Sequence, residues 1–378
     1  MANITPSVPN KVVNEKGDTY PSISALAKSI GVCKDNILRK FKKGDTFTYG
    51  GHTYQPGKGM PVESVGSEEP SPAFEYPEEY KEFLESKKVR ELPFEIHDFK
   101  PSDLGAGRRY AVALFSDAHI EELVTPDSVL GLNEYNIKIA RKRIEKYFVN
   151  LANCLNEDKV DDLIFASLGD TISGYIHDEL AQTNELSPLE ATLEAQNLIY
   201  NGLRYLCENT KLASIKFIGI VGNHSRTTKK VQHINGYTMS YEWLMYQNIK
   251  TQCETANMPI EFCIPNSEMA IVDTHDKKRL IFIHGFQIKS SGSGTVCGIY
   301  PALNRLSMKW SKTFKQDKIY LGHFHTCVSI PNAVVNGSII GYNAFAMTNG
   351  FEYEEPAQQY EVYDTKVGML LSRKIYCR

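Results

Sequence analysis

The sequence DDLIFASLGD, residues 161–170, is a short apolar run that predicts a β-strand ending in a glycine and an aspartate. It is followed by SPLEATLEAQNLIYNGLRYL (187–206), which has helical character, and by a second apolar run, IKFIGIVGN (215–223). Ser187 can cap the intervening helix, Pro188 suits its first turn, and Glu190 completes a capping box. A strand–helix–strand unit implies a right-handed crossover between parallel strands of one sheet.

The same alternation extends on both sides of this unit. Upstream, RYAVALFSD predicts a strand, and the next segment, 134–157, predicts a helix because its apolar residues recur every three or four positions. Downstream, EMAIVD, RLIFIHG and KIYLGHFH predict further strands with fewer helices between them. We therefore expect an α/β protein in which two layers of sheet, a β-sandwich, are flanked by helices.

The amino-acid composition indicates the class of protein and the compartment to expect. The 378 residues are 42% hydrophobic and 23% charged, with a net charge of −3, so the chain can bury a core. It has no apolar run of about 18 residues that would predict a membrane span, and its start lacks the apolar region of a secretory signal. The eight cysteines are scattered, as is usual for reduced cytosolic thiols. We expect a cytoplasmic protein, in the host cytoplasm if a phage encodes it.

Charge divides the chain into three regions. Residues 11–58 hold nine Lys and Arg against four acids, whereas residues 61–86 hold eight Glu, one Lys and several prolines. A Pro- and Glu-rich segment has little apolar surface to bury and is typical of a linker. The predicted organisation is a basic module (1–60), an acidic linker (61–104) and a catalytic domain (105–378).

The basic module has the pattern of a helix-turn-helix unit. Residues 20–43 predict two short helices around Gly31 and Val32, and FTYGGHTY predicts a hairpin with a Gly-Gly turn. The end of the second helix carries a basic cluster: Arg39, Lys40, Lys42 and Lys43. The unit is similar to small modules of phage proteins and intron-encoded nucleases, which favours DNA binding. The alternative is a helical protein-interaction module with a solvated basic face.

Side chains that can bind metals follow five of the predicted strands. In α/β folds, ligands gather where strands end. Each motif taken alone is as compatible with a turn or a hydrogen-bonded core histidine as with a ligand. Together they place five of the ten histidines at strand ends. The residues concerned are Asp117, His119, Asp170, Asn223, His224, His284, His323 and His325.

The order D-x-H, GD, GNH, H and GHxH, each after a β-like run, resembles the calcineurin-like metallophosphoesterase superfamily over residues 108–345. Within it, GDTISGYIHDEL and the later segment 335–368 are most similar to bacteriophage metallophosphoesterases and DNA-repair-type exonucleases. The resemblance implies a β-sandwich fold and a two-metal site. It also implies a homodimer as one candidate state, although no coiled-coil repeat in the sequence demands one.

The resemblance also implies roles for the strand-end residues. One metal takes Asp117, His119, Asp170 and His325, and the other takes Asp170, Asn223, His284 and His323. This mixed donor set suits Mn²⁺, with Fe, Zn²⁺ or Ni²⁺ as alternatives, and suits Mg²⁺ and Ca²⁺ poorly. The metals would lower the pKa of bound water and supply the nucleophile for in-line hydrolysis without a covalent intermediate, and His224 would stabilise the phosphoryl oxygen or, as we predict, act as general acid.

Some positions depart from the protein phosphatases of the superfamily. Those proteins read GDxVDRG, and the acid that orients their catalytic histidine is replaced here by Ser173, which leaves the partner of His224 unknown. His177 and Arg226 are candidate substrate contacts, the latter with Lys229 and Lys230, and a solvated loop is the alternative for each. Asp178 is a candidate support for a histidine.

The leading hypothesis is a metal-dependent phosphodiesterase or nuclease that the basic module tethers to DNA. The enzymatic alternative is a phosphomonoesterase or cyclic-nucleotide phosphodiesterase. The non-enzymatic alternative is a DNA-binding protein with a structural metal site.

Overall fold

A computed structural model describes residues 12–14, 19–20, 23–30, 37, 47–49, 52–56, 107–288 and 299–378. The chain forms two compact units, Met1–Asp98 and Phe99–Arg378. The predicted linker (61–104) and, apart from Ile37, the second helix of the predicted helix-turn-helix, with Arg39, Lys40, Lys42 and Lys43, fall outside the described residues.

The described residues of the N-terminal unit form one helix and a four-stranded antiparallel sheet, and Ile37, from the predicted second helix, is helical and buried. The elements of the unit are β1 (Val12–Asn14), β2 (Thr19–Tyr20), α1 (Ile23–Ile30), β3 (Phe47–Tyr49) and β4 (His52–Pro56). The two strands of the predicted hairpin pair antiparallel, with Tyr49 opposite His52. Strands β1 and β2 were not predicted, and the sheet order is β2-β1-β4-β3.

A six-stranded sheet forms the first half of the second unit. Its order is β15-β14-β5-β6-β7-β8, and β5 to β8 are parallel; the strand–helix alternation predicted this for β5 to β7, whereas β8 was not predicted. The strands are β5 (Arg109–Phe115), β6 (Asp162–Ser167), β7 (Ser214–Gly219), β8 (Ile260–Cys263), β14 (Ala357–Asp364) and β15 (Gly368–Tyr376).

A five-stranded sheet forms the other half, with the order β12-β13-β11-β10-β9. Strands β10, β11 and β13 are parallel, while β9 and β12 run antiparallel to their neighbours. The strands are β9 (Met269–Asp273), β10 (Arg279–Ile283), β11 (Lys318–Leu321), β12 (Val328–Ile330) and β13 (Ala333–Val335).

Six described helices complete this unit. They are α2 (Ile137–Glu157), α3 (Asp178–Thr183), α4 (Pro188–Asn209), α5 (Tyr241–Thr255), α6 (Tyr300–Phe314) and α7 (Ala344–Thr348). Helix α4 begins as the sequence predicted, with Ser187 and Glu190 forming the capping box and Pro188 in the first turn. No helix in the described part of the chain combines the length and apolar character needed to cross a bilayer.

Apolar residues assemble these elements into four layers. Along β5, Tyr110, Val112 and Leu114 point between the two sheets and pack with residues such as Phe282. The alternating residues of β5 face the opposite way and pack with the buried face of α2, α4 and α5. The second sheet buries its outer face under α6. The fold is therefore a two-layered β-sandwich flanked by helices, as expected from the sequence.

Candidate metal centre

The loops that leave five strands meet at one edge of the sandwich. Strands β5, β6 and β7 bring residues from the six-stranded sheet, and β10 and β11 bring residues from the five-stranded sheet. The main-chain N–H of His323 donates to the Asp117 carboxylate at 3.1 Å, which joins the two sheets directly. All of the ligands expected from the sequence lie at this edge.

Their donor atoms form two clusters, and Asp170 belongs to one of them and lies close to His119 of the other. The ligand atoms of Asp117, His119 and His325 lie within 4.8 Å of one another, and those of Asp170, His284 and His323 do the same. Asp170 also lies within that distance of His119 and His224. Asp170 Oδ2 is 2.8 Å from His284 Nε2, and Asp117 Oδ1 is 3.4 Å from His325 Nε2. Asp170 is thus placed to serve both clusters.

The amide of Asn223 supplies independent support for cation binding. Its Oδ1 is buried and has no hydrogen-bond partner. A buried polar atom without a partner costs about 1–3 kcal/mol. A cation bound against this oxygen would remove that cost. Carboxylate, imidazole and amide oxygen donors together suit transition-metal cations such as Mn²⁺ or Zn²⁺. The residues present therefore fit two divalent metals.

The pKa shifts favour the metal-binding form for Asp170 and for two of the histidines, whereas His284 stays protonated as long as it faces the Asp170 carboxylate alone. Burial raises the pKa of the Asp170 carboxyl, but the facing histidines outweigh it and hold that pKa well below its usual range. Burial lowers the pKa of His284, but the Asp170 charge outweighs this and raises it to about 9. Burial and the neighbouring His284 lower the pKa of His323 to about 4, and burial lowers that of His119 well below normal. His119 and His323 are therefore neutral imidazoles, the form that binds metals.

Five of the candidate ligands have strained backbones. Among the described non-glycine residues, ten have a positive φ, and half of these are in the clusters. The residues are Asp117 (53°), His119 (44°), Asp170 (51°), His323 (72°) and His325 (52°). Such conformations cost about 1–3 kcal/mol each and persist only where the surrounding structure imposes them. Their concentration here is typical of a functional site.

Two glycines allow the loops to approach the shared aspartate. A Cβ on Gly222 would lie 2.1 Å from Asp170 Oδ1, and one on Gly169 would lie 2.3 Å from the Gly222 nitrogen. Gly169 has a φ of 89°, a conformation that glycine adopts without strain. The close contact between the loops is an additional reason that the sequence did not reveal.

His224 is oriented by a main-chain carbonyl. Its Nδ1 lies 3.0 Å from the carbonyl oxygen of Ser173, and its main-chain N–H donates to Asp170 Oδ1 at 2.8 Å. Its ring stands edge-on to the His119 ring, with 4.7 Å between centroids. With Nδ1–H donating to the carbonyl, Nε2 is the nitrogen left for chemistry. The partner that the sequence left unknown is therefore the backbone of residue 173.

The side chain of Ser173 supports a different histidine. Its Oγ lies 3.0 Å from His119 Nδ1 and 3.1 Å from Glu122 Oε2, and Asn343 Nδ2 donates to Glu122 Oε1 at 2.8 Å. These distances are consistent with His119 Nδ1–H donating to Ser173 Oγ and with the Ser173 hydroxyl donating to Glu122. This leaves the lone pair of His119 Nε2 free for a metal.

Two buried glutamates, not recognised in the sequence, hold the loops in place. Glu242 on α5 accepts from the N–H of Thr171 at 2.6 Å and from that of Gly222 at 2.7 Å, so it joins the loops after β6 and β7. Glu121 accepts from the N–H of Ser173 and of Gly174. Burial raises the pKa of both, that of Glu121 to about 7.

Glu242→Ala should destabilise the protein, because it leaves two buried N–H groups without acceptors. At about 1–3 kcal/mol each, we expect the free energy of unfolding to fall by about 3 kcal/mol, measured by urea denaturation. Glu254→Ala on the same helix is the control, since this exposed residue makes only an ion pair with Lys250, worth about 0.5 kcal/mol or less. Similar losses in both variants would contradict the assigned role.

A cavity of about 370 Å³ opens over the clusters. His177 lines it, exposed, with its ring centroid 6.1 Å from that of His224. The Arg226 guanidinium instead bonds to the carbonyls of Asn223 and Thr228 in its own loop. The cavity is lined by His119, Glu122, Asp170, His177, Asn223, His224, His323, Phe324, His325, Asn343, Phe345 and Phe351.

The other candidate contacts lie outside this cavity. Lys229 and Lys230 are exposed and are not among the described lining residues. Asp178 is exposed at the start of α3, and among the described residues it bonds to no histidine.

No protein-family model and no curated protein matches the chain. Solved structures do match. A calcineurin-like phosphoesterase from Bacillus subtilis is 8% identical, with 72% of this chain and 91% of that chain covered and a TM-score of 0.30. A 5′-nucleotidase from Candida albicans is 9% identical, with 72% and 52% covered and a TM-score of 0.35.

A third solved structure is vacuolar protein sorting 29 from Cryptosporidium parvum. It is 12% identical, with 68% of this chain and 86% of that chain covered and a TM-score of 0.29. At such low identities and TM-scores, these similarities carry no information about substrate. The activity has to follow from the residues of this chain.

Proposed function

We propose that the chain is a dinuclear-metal-dependent phosphodiesterase. The observation that carries the proposal is that Asp170 lies within 4.8 Å of His119 from one ligand cluster and belongs to the other, next to the buried and unpartnered Oδ1 of Asn223. One cation would be held by Asp117, His119, Asp170 and His325. The other would be held by Asp170, Asn223, His284 and His323.

The cations, when bound, would activate a water molecule and neutralise charge on the phosphoryl oxygens. We propose Mn²⁺ as the metal, since imidazole and carboxylate donors of this kind suit it better than they suit Mg²⁺ or Ca²⁺. The contribution of the protein is to fix the donors. The Leu168 carbonyl holds His284 Nδ1 at 2.6 Å, and Ser173 holds His119, so each ring presents its other nitrogen.

His224 is the proposed general acid. Its Nδ1 is engaged by the Ser173 carbonyl, and it lines the cavity. A protonated His224 can therefore give its Nε2 proton to a leaving alkoxide while the carbonyl stabilises the remaining N–H. The role does not require His224 to bind a metal, although its nitrogen lies near Asp170.

The charge of the cavity favours diesters over monoesters. Its described lining residues include the Glu122 carboxylate and no lysine or arginine. A phosphate monoester carries nearly two negative charges at neutral pH, whereas a diester carries one. Beyond the proposed metal ligands, the described lining offers one acid, Glu122, and no lysine or arginine to neutralise a second negative charge, which suits the lower charge of a diester.

A DNA substrate is proposed from the N-terminal module, whose local positive charge contrasts with the acidic linker. Replacing Lys40 and Lys43 by Glu in the full chain should weaken binding to duplex DNA and reduce its dependence on salt. Unchanged binding and salt dependence would remove DNA from the proposal but would leave the phosphodiesterase activity standing.

The activity is tested by stripping the protein of metal and restoring Mn²⁺, Zn²⁺ or Mg²⁺ separately. We expect activity to return with Mn²⁺. We also expect the kcat/KM for bis(p-nitrophenyl) phosphate to be at least about 10-fold above that for p-nitrophenyl phosphate, because a preference of about 1.4 kcal/mol for the lower charge gives this ratio. Labelled single-stranded and duplex DNA complete the panel. A preference for the monoester would favour the phosphomonoesterase, and metal binding without any turnover would favour a structural site.

A further inference from the structure

Three phenylalanines form one wall of the cavity over the ligand clusters. Phe324, Phe345 and Phe351 all line it. Phe345 is 64% exposed and Phe351 is 36% exposed. Leaving a large aromatic side chain in water forgoes about 1.5–3 kcal/mol of burial free energy. Rings left open beside a proposed catalytic centre are therefore available to a substrate.

The rings have a defined arrangement. Phe345 and Phe351 meet edge-to-face, with centroids 5.9 Å apart and an interplanar angle of 89°. Phe324 stands edge-on to the candidate ligand His323, with 5.1 Å between centroids. Phe324 thus adjoins a candidate metal ligand, and Phe345 and Phe351 form an exposed pair in the same cavity.

The segment that carries the pair is anchored to the catalytic loops. Asn343 caps α7 by accepting from the Ala346 N–H, while its Nδ2 donates to Glu122. The Phe351 N–H donates to the Ala346 carbonyl at 2.9 Å, which ties the backbone of residue 351 to α7. The backbone that carries both rings is thus positioned before any substrate arrives, and this lowers the entropic cost of binding.

The preceding chain is clamped from the other side. The buried Arg143 donates to the carbonyls of Ile339 and Ile340 at 2.9 and 2.7 Å, and Asn133 donates to the carbonyls of Ile340 and Tyr342. These bonds hold the segment that leads into α7 against α2 and its preceding loop. The aromatic pair is therefore part of a fixed structure, although its rings face solvent.

We propose that the cavity binds the unpaired nucleobase of a nucleotide, which stacks on Phe345 while the phosphate of the same nucleotide lies at the ligand clusters. The proposal rests on the phosphodiesterase function proposed above. A cavity of about 370 Å³ lies at the low end of small-ligand sites, so it suits one nucleotide unit and not a stacked duplex. Stacking on a phenylalanine face tolerates any base.

The test compares Phe345→Leu, which keeps apolar area and removes the aromatic face, with Phe345→Trp, which keeps an aromatic face. Both are assayed in the Mn²⁺-loaded full chain on thymidine 5′-(p-nitrophenyl phosphate) and on methyl p-nitrophenyl phosphate, which share a leaving group. Leu193→Ala is the control, because this side chain is 59% exposed on α4 and does not line the cavity.

We expect Phe345→Leu to lower kcat/KM for the thymidine ester by about 5- to 150-fold relative to the methyl ester, the range for loss of one stacked base. Phe345→Trp and Leu193→Ala should keep the wild-type ratio. Equal losses on both esters would overturn the proposal, since the ring would then act on the leaving group or on the shape of the cavity.

Equilibrium dialysis of thymidine 5′-monophosphate separates this inference from the proposed function. Weaker binding by Phe345→Leu supports stacking even if the wild type hydrolyses neither ester. Such a lack of hydrolysis would contradict only the proposed phosphodiesterase activity. Unchanged binding, with wild-type hydrolysis of the methyl ester intact, would overturn only the stacking. Single-stranded and duplex oligonucleotides then distinguish a strand end from a free nucleotide, because only a substrate that stacks its base shows the Phe345→Leu penalty.

Discussion

Asp170→Asn is expected to lower turnover of the diester by about 10³-fold or more and to leave at most about one equivalent of bound Mn²⁺ in place of two. The carboxylate is buried, lies 2.8 Å from His284 in one ligand cluster, and is within 4.8 Å of His119 in the other. An amide of the same size keeps the shape and removes the charge that both cations need. Steady-state kinetics and elemental analysis of the purified protein measure the two effects.

Asp178→Asn is the control for this prediction. Asp178 is an exposed carboxylate at the start of α3 and is absent from the ligand clusters, so its variant should keep wild-type turnover and metal content. If Asp170→Asn retained two equivalents of Mn²⁺ and full turnover, the shared-carboxylate site would be excluded. If it lost metal with no change in turnover, the metal would be structural.

His224→Ala is expected to lower turnover by about 10²- to 10⁴-fold while metal content stays at the wild-type value. The imidazole is held by the Ser173 carbonyl and can donate from Nε2, and seven other side chains remain to hold the cations. The loss should be larger for a dinucleotide, whose leaving group is a basic alkoxide, than for a p-nitrophenyl ester, whose leaving group needs no proton.

That dependence on the leaving group separates a proton donor from a group that only stabilises charge. Equal losses on both substrates would assign His224 to phosphoryl stabilisation, and unchanged turnover would remove it from the reaction. His233→Ala is the matched control, because His233 has an 81%-exposed side chain whose ion-pair partner is Glu268.

The strands and helices with clear apolar periodicity were predictable, and so was the edge at which the ligands meet. Strand β14 was not, because its sequence AQQYEVYD is half polar although every residue is buried. Its polar side chains are satisfied inside the protein, since Gln358 accepts from the Ser116 N–H and Glu361 pairs with Lys318. A single sequence does not reveal that a polar residue has a buried partner far along the chain.

Helix α5 escaped prediction for a related reason. Its buried residues are mixed with apolar residues that face water, such as Leu244, so the helical period is weak. Glu242, which joins two catalytic loops, therefore had no assigned element and no assigned role. The metal ligands could be predicted because their side-chain types alone indicate metal binding. The residues that hold those ligands in place could not, because their contacts depend on the fold.

The backbone acceptor of His224 has a consequence for how such sites diversify. A carbonyl oxygen is present whatever side chain residue 173 carries, so the tautomer of His224 survives any substitution there that preserves the path of the loop. Position 173 is thereby free to serve His119 instead. A search for homologous active sites that demands an acid at this point would discard proteins whose catalytic histidine is already fully oriented.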